Sequence, residues 1–295
     1  MSYWSRWSDA LGHALRASAP RSVIGKPSKT RLILTVWKKS QLADNWPELL
    51  GGFDAVSIKC ADGDDFYRRG DALELADKVR SIGLDVEGWG FHYCRTPAEA
   101  MKEAKIAAEA AQNIGAKVYH WNAERHWYAS KEREQSAIEF ALTFHGAAPD
   151  IELYANCFRK GVTEAMVEHF EAIEPMCYGT KASTIAKKVH ARMRKWSEVP
   201  SDRVAIMVGT GRKASGKRAW GYFKTDSAKS PGLLGLVEKY RPVAVNFFRA
   251  GVADGEDIML RGNDINPSLS EQVRKIRALL KKLDDLQSTS TDEQA

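Results

Sequence analysis

Short apolar runs rich in β-branched and aromatic residues recur along the chain at fairly even intervals. Each run is followed by a segment with helical periodicity or by a polar loop, so the runs are predicted to be strands that alternate with helices. The predicted strands are RLILTVW (31–37), AVSIKCA (55–61), DVEGWGFHY (85–93), KVYHWNAE (117–124), IELYANCF (151–158), IEPMCYG (173–179), RVAIMVGTG (203–211) and PVAVNFFRAG (242–251). The predicted helices are ALELADKVRSIG (72–83), AEAMKEAKIAAEAAQNIG (98–115), KEREQSAIEFALTFHG (131–146), TEAMVEHFEAI (163–173) and a last helix from Glu271 to Leu286.

Strands and helices that alternate eight times within roughly 250 residues indicate a (β/α)₈ TIM barrel, which we assign to residues 29–286. The main alternative is a doubly wound open sheet, which would carry a glycine-rich phosphate loop after its first strand. The segment VWKKSQ (36–41) has no glycine. The pattern therefore favours the barrel.

Two segments lie outside the predicted barrel. Residues 1–28 place Trp4, Trp7, Leu11 and Leu15 at helical spacing, which predicts a short amphipathic helix followed by a linker. This helix either plugs the bottom of its own barrel or docks onto another protein, for example a virion component. Residues 287–295 lack large apolar side chains and are predicted to form a disordered tail.

Composition narrows the class of protein. The 295 residues are 44% hydrophobic and 28% charged, as in globular proteins, and no apolar run approaches the ~20 residues of a membrane span. The amino terminus lacks the continuous apolar centre of a secretory signal, so we expect cytoplasmic synthesis, with release by lysis or in a particle. The four cysteines are not spaced as a zinc site or a disulfide scaffold, and we expect them to be reduced and buried.

The net charge of +6 favours anionic partners weakly and does not by itself indicate nucleic acid. Much of the excess charge lies in residues 181–194 and in GRKASGKR (211–218). The second segment nearly matches a nucleotide phosphate loop, but Arg218 replaces the metal-binding hydroxyl and AWGYF follows where a helix must begin. We therefore predict no nucleotide site, and a basic loop at the barrel mouth that could bind an anionic glycan or phosphate.

The fourth predicted strand carries the clearest candidate chemistry. His120, Asn122 and Glu124 alternate along it, so they share one face, and active sites of these barrels lie at the C-terminal ends of the strands. The same reasoning selects further lumen residues, namely Asp62, His92, Tyr154 or Asn156, Tyr178, and Asn246 or Arg249. Flat aromatic surface for sugar rings is expected from Trp89, Trp127 and Tyr128. Two carboxylates in a polar cleft with aromatic walls fit glycoside hydrolysis.

Three motifs resemble glycoside hydrolase family 25, the phage- and fungal-type lysozymes. Residues 59–63 (KCADG) are similar to the K-x-T-E-G stretch of the second strand, residues 88–93 (GWGFHY) to G-x-Y-H-F on the third, and residues 122–124 (NAE) to D-x-E on the fourth. The resemblance covers roughly residues 30–160. It implies cleavage of peptidoglycan with Glu124 as general acid, Asp62 as second carboxylate and Lys59 in the cleft, with no cofactor and no metal.

The chain departs from that family at three positions. The first-strand Asp is missing, since TVWKKS stands there, Asn122 replaces an Asp, and Asp62 replaces a longer Glu. Asn is neither a base nor a nucleophile, although it can hydrogen-bond a substrate. An alternative function is therefore a glycan-binding or structural virion module that kept the barrel and lost catalysis.

Several candidates also have structural interpretations. His120 is predicted to be a core histidine that is bonded to neighbours such as Asn122. Glu124 could instead form a structural salt bridge with Lys59. Asp62 could belong to a turn, and Trp127 could pack in the core. A third function, a metal- or phosphate-dependent barrel enzyme, would draw on His92, His120, Glu87 and Glu124. We discount it because Glu87 starts its strand, far from the mouth.

Overall fold

The computed structural model describes residues 30–41, 47, 50–157, 162–177, 187–191, 199, 203–209, 233–248, 252–253, 256–257 and 267–292. All eight predicted strands are confirmed within this part of the chain. They are β1 (Arg31–Val36), β2 (Ala55–Asp62), β3 (Asp85–His92), β4 (Val118–Ala123), β5 (Glu152–Cys157), β6 (Ala172–Pro175), β7 (Ala205–Gly209) and β8 (Ala244–Phe248). Short additional strands, which were not predicted, lie at Asp65–Phe66, Val252–Ala253 and Glu256–Asp257.

The eight strands form one parallel sheet that closes into a barrel. Each strand pairs with its sequence neighbour from β1 to β6, and β8 pairs with both β1 and β7. The ring is completed by bridges between β6 and β7, Ile173 with Val204 and Met176 with Met207. A parallel ring with helices between its strands is the (β/α)₈ TIM barrel that the alternation predicts.

Helices connect the strands on the outside of the ring. They are α1 (Arg69–Ser81), α2 (Pro97–Asn113), α3 (Arg125–Ala129), α4 (Arg133–Ala147), α5 (Glu164–Val167), α6 (Leu233–Tyr240) and α7 (Pro267–Asp292). The capping of α2 explains where that helix begins, because Thr96 accepts a hydrogen bond from the Glu99 N–H over 3.2 Å and Pro97 occupies the first turn. Tyr119 and Trp121 of β4 point outward and contact Phe144 and Phe140 of α4.

Two helix predictions were wrong in length. The helix predicted over 163–173 ends at Val167, because the segment after it joins the sheet as β6. The last helix continues to Asp292, six residues beyond the predicted end at Leu286, so residues 287–292 are helical rather than a disordered tail. Residues 287–292 contain no Gly or Pro, and a helix that has already formed propagates easily through such residues.

Other predictions fall outside the described residues: the amphipathic helix with Trp4, Trp7, Leu11 and Leu15, the basic loop 211–218, and the candidates Tyr178 and Arg249. Of the four cysteines, Cys60, Cys94 and Cys177 are buried thiols, as predicted. Among the described helices, none combines the length and the apolar character that crossing a membrane requires.

Candidate functional site

Glu124 lies at the C-terminal rim of the barrel, directly after β4. Its side chain is half-buried, and Nδ2 of Asn122 donates a hydrogen bond to its Oε1 over 3.2 Å. Burial raises the pKa of the Glu124 carboxyl above its ordinary value, and the hydrogen bond from Asn122 opposes only part of that rise. Glu124 is therefore a carboxyl group at the barrel mouth that keeps its proton to higher pH than an exposed Glu.

Asp62 forms an ion pair with Lys59. Lys59 Nζ is 2.6 Å from Asp62 Oδ2, and the two side chains are 2% and 31% exposed. The same ammonium lies over three aromatic rings, 4.2 Å from the centroid of Tyr67, 4.6 Å from Trp37 and 5.3 Å from Trp89. We call these three rings the aromatic cage. Lys59, the predicted alternative partner of Glu124, is thus held by Asp62 and by cation–π contacts.

Tyr93 connects the Asp62 side of the mouth to the Glu124 side. Its hydroxyl donates to Asp62 Oδ1 over 3.4 Å, and its ring centroid lies 5.1 Å from that of His126, two residues after Glu124. Gly63 makes room for the ring, because a Cβ atom there would lie 2.8 Å from two Tyr93 ring carbons. Tyr93 is not among the residues that the sequence predicts for the site.

A buried charged layer lies below the mouth. His120 is bonded through Nε2 to Glu87 Oε2 over 2.7 Å and through Nδ1 to Glu174 Oε2 over 3.0 Å, and Arg31 pairs with Glu87 over 2.7 Å. Burial by itself lowers the pKa of His120, but the carboxylates of Glu174 and Glu87 outweigh burial and raise that pKa to about 10. His120 is therefore a charged core histidine, as the structural interpretation predicts, although its partners are Glu87 and Glu174 instead of Asn122. With both ring nitrogens protonated, it has no lone pair for a metal.

Between this charged layer and the rim lies a small cavity. Its volume is about 10 Å³, and its walls come from seven of the eight strands. The lining residues are Thr35, Ser57, Trp89, His120, Asn122, Asn156, Met207, Asn246 and Phe248. Three predicted lumen residues, Asn122, Asn156 and Asn246, thus meet in one place. Trp89 is 4% exposed and donates its indole N–H to the Val36 carbonyl over 3.0 Å, so it forms a wall and not an open platform.

The prediction that His92 faces the lumen was wrong. His92 points outward, with Nδ1 3.0 Å from Glu103 Oε2 and Nε2 2.8 Å from the Tyr119 hydroxyl. It lies three residues after the inward-facing Trp89, and residues three apart on a strand point to opposite faces. Gly90 leaves the space for this contact, because a Cβ atom there would collide with the Tyr119 hydroxyl and His92.

Two aromatic candidates also lie away from the mouth. Trp127 is fully buried, donates from Nε1 to the Arg133 carbonyl over 2.6 Å and packs on Trp121, so the packing interpretation is correct and a sugar contact is wrong. Tyr154 is 2% exposed, and its hydroxyl donates to Glu152 over 3.1 Å. Glu152 is the first residue of β5, so this hydrogen bond lies at the end of the barrel away from the mouth. Tyr128 is half-buried, with its ring 4.9 Å from that of Trp127.

Several polar residues of the lumen are not among the predicted site residues. Glu174 was not predicted, and Glu87 lies below the mouth as predicted; both bind His120. Ser57 and Thr35 line the cavity. The signal that could have found Glu174 and Ser57 is their position in the strand, because each lies between two apolar residues and therefore faces the opposite side of the sheet from them.

Known proteins resemble this chain in fold and not in sequence. No protein-family model matches it, and no curated protein matches it. A GH18 chitinase from Pseudoalteromonas aurantia superposes with a TM-score of 0.59 at 10% identity, covering 84% of this chain and 100% of that one. A chitinase from Bacteroides thetaiotaomicron gives 0.56 at 7% identity, with 75% and 89% covered. The spore cortex-lytic enzyme SleL of Bacillus megaterium QM B1551 gives 0.53 at 7% identity, with 84% and 74% covered. At these identities the likeness establishes the barrel fold, which this chain shares with enzymes that bear those names.

Proposed function

We propose that this protein is a glycoside hydrolase that acts on peptidoglycan or a related cell-surface glycan, with Glu124 as the general acid. The observation that carries the proposal is the half-buried Glu124 carboxyl at the barrel rim, whose raised pKa suits a group that must hold a proton and then give it to a leaving oxygen. Peptidoglycan specificity and association with a bacteriophage particle belong to the proposal. They rest on the resemblance of the strand motifs to the phage- and fungal-type lysozymes.

The neighbouring residues fit sugar recognition. Trp37 and Tyr67 of the aromatic cage are half-buried beside Asp62 at the same rim, and Asn122 contacts Glu124 there. Asp62 is the second carboxylate of the proposal. Because Lys59 and Tyr93 contact its two oxygens, we assign it to stabilising positive charge that develops on the sugar, and not to direct attack.

A second candidate function is a glycan-binding or structural module without catalysis. The presence of Asn122 in place of an Asp favours it, because an amide is not a base. The contacts of Lys59 and Tyr93 with the two Asp62 oxygens also favour it. Such a module would sediment with cell walls and release no new reducing ends from them.

The test compares Glu124→Gln with a matched control, Glu152→Gln. Partial burial of the carboxyl also raises the pKa of Glu152, which accepts one hydrogen bond from Tyr154 as Glu124 does from Asn122. Glu152 lies at the other end of the lumen, so its loss should leave the mouth intact. We expect Glu124→Gln to lower the release of reducing ends from peptidoglycan or chitin by about 10²–10⁴-fold, and Glu152→Gln to retain activity. Equal activity in both variants would remove Glu124 from the mechanism.

A further inference from the structure

Four polar side chains around the cavity each carry one atom without a hydrogen-bond partner in the described part of the protein. These atoms are Ser57 Oγ, Asn122 Oδ1, Asn156 Oδ1 and Asn246 Nδ2. The four residues come from four different strands and are between 0% and 6% exposed. Buried polar atoms are almost always hydrogen-bonded, so four of them around one cavity indicate a polar ligand there.

The hydrogen bonds that each amide makes outside the cavity determine whether its oxygen or its nitrogen faces the cavity. Asn156 donates from Nδ2 to Glu174 Oε2 over 2.8 Å, and Asn122 donates from Nδ2 to Glu124 over 3.2 Å. Because both amides use their Nδ2 atoms as donors outside the cavity, the atoms that they leave unpaired there are the two oxygens, Asn122 Oδ1 and Asn156 Oδ1. Asn246 accepts at Oδ1 from the Thr35 hydroxyl over 2.6 Å, which leaves its Nδ2 as a donor.

The cavity therefore offers two acceptors, one donor and one serine hydroxyl that can act as either. That set is the complement of one water molecule, which donates two hydrogen bonds and accepts two. The volume of about 10 Å³ is that of a single water site. A cation would face the Asn246 amide N–H and the nearby charged His120, whereas an anion would face two amide oxygens.

We propose that Ser57, Asn122, Asn156 and Asn246 bind one long-lived water molecule, the axial water, and that this water holds the Asn122 amide with its Nδ2 toward Glu124. Asn156, Asn246 and Ser57 are then positioning residues, because they act on Glu124 through the water and Asn122. The water site stands independently of the proposed function, and only its effect on catalysis rests on that function.

The direct test counts long-lived waters in the full chain by oxygen-17 magnetic relaxation dispersion. Asn246→Leu replaces the amide with an apolar group of similar size and should lower the count by one relative to the wild type. Ser57→Ala removes a single partner, so it should keep the water and shorten its residence time, which preserves the test if Asn246→Leu folds poorly. An unchanged count in a folded Asn246→Leu protein would overturn the proposal. Loss of the water on adding ammonium or potassium ions would also overturn it, since the cavity would then be a cation site.

The positioning role has a second readout that needs no substrate. In Asn246→Leu the Asn122 amide is no longer held, so its hydrogen bond to Glu124 weakens and the pKa of Glu124, measured by carbon-13 NMR, should rise further. If the water is lost and the pKa of Glu124 does not move, the positioning role is wrong. With a glycan that the wild type cleaves, we expect Asn246→Leu to lower kcat about tenfold and to leave KM unchanged. A wild type without any glycan cleavage would refute the proposed function and leave the water count and the NMR titration as valid tests.

Discussion

Replacing His120 by Gln removes the cation that Glu87 and Glu174 share in the middle of the barrel. In the native protein both ring nitrogens of His120 bond to these carboxylates, and all three side chains are at most 1% exposed. Glu87 would keep Arg31 and Glu174 would keep Asn156. The two carboxylates would nevertheless lose the charge between them, and breaking a buried pair of this kind costs about 3–5 kcal/mol of unfolding free energy.

The pH dependence of stability gives a second measure of the same interaction. The pKa of His120 is raised from 6.5 to about 10 in the folded protein, so the folded state binds this proton more tightly than the unfolded state. The stabilisation is fully present below pH 6.5 and is lost as the pH rises toward 10. Its full size is about 5 kcal/mol, at about 1.4 kcal/mol for each unit of pKa, and about 3 kcal/mol of it should disappear between pH 6.5 and pH 9.

The assay is urea unfolding followed by tryptophan fluorescence at pH 6.5, 7.5, 8.2 and 9, with free energies from linear extrapolation. The range stops at pH 9 because burial also raises the pKa values of Cys60, Tyr119 and Tyr154, whose ionisation in the unfolded chain lowers stability at higher pH. The matched control is His126→Gln, which changes an exposed histidine and should keep the wild-type slope. A wild type whose stability is flat across this range, or a His120→Gln protein with the wild-type slope, would refute the charged His120.

Three further predictions concern single side chains. Asn122→Leu removes the hydrogen bond that lowers the pKa of Glu124, so the alkaline limb of the pH–activity profile should move to higher pH; a move to lower pH would contradict the geometry. Trp127→Ala should destabilise the protein by about 3–5 kcal/mol, because a fully buried indole is lost, and near-wild-type urea unfolding would mean that Trp127 is not core. Gly90→Ala should destabilise the protein by about 1–3 kcal/mol, since the added Cβ would collide with the Tyr119 hydroxyl. Gly70→Ala is the control, because Gly70 is exposed and an added Cβ there would meet no atom. Equal melting temperatures of the two variants would refute the close approach at Gly90.

The alternation of apolar strands and amphipathic helices was sufficient to predict the barrel, because every strand is buried on both faces and reads as an apolar run. The alternation of side chains along a strand was also sufficient to predict that His120, Asn122 and Glu124 share one face. The same rule, applied consistently, would have excluded His92, because it lies three positions after Trp89 and therefore faces the other side of the strand. The wrong prediction arose because His92 was selected as the last polar residue of its strand, without regard to the face of the strand on which it lies.

Other features depend on contacts that no local pattern encodes. Lys59 and Asp62 are three residues apart and should point to opposite faces, but the register shift between Lys59 and Ala61 brings them together. A bulge of this kind depends on the neighbouring strand. The charged layer likewise depends on strand stagger, which decides that Glu87 and Glu174 reach the height of His120.

The burial of Trp127 was equally hidden in the sequence. An aromatic residue in a polar loop reads equally well as a sugar platform or as packing, and only the position of α3 against α4 decides between them. The indole N–H of Trp127 binds the Arg133 carbonyl at the start of α4, which fixes the side chain in the core.

If Glu124 donates a proton during cleavage of a glycosidic bond, water must enter the product at the new chain end. Peptidoglycan and chitin are therefore digested in oxygen-18 water, and the masses of the products are measured by mass spectrometry. We expect fragments from the wild type and from Glu152→Gln that carry one oxygen-18 atom at each new reducing end, and none above background from Glu124→Gln. Labelled fragments from Glu124→Gln at the wild-type rate, or intact glycan that merely sediments with the wild-type protein, would contradict this role of Glu124.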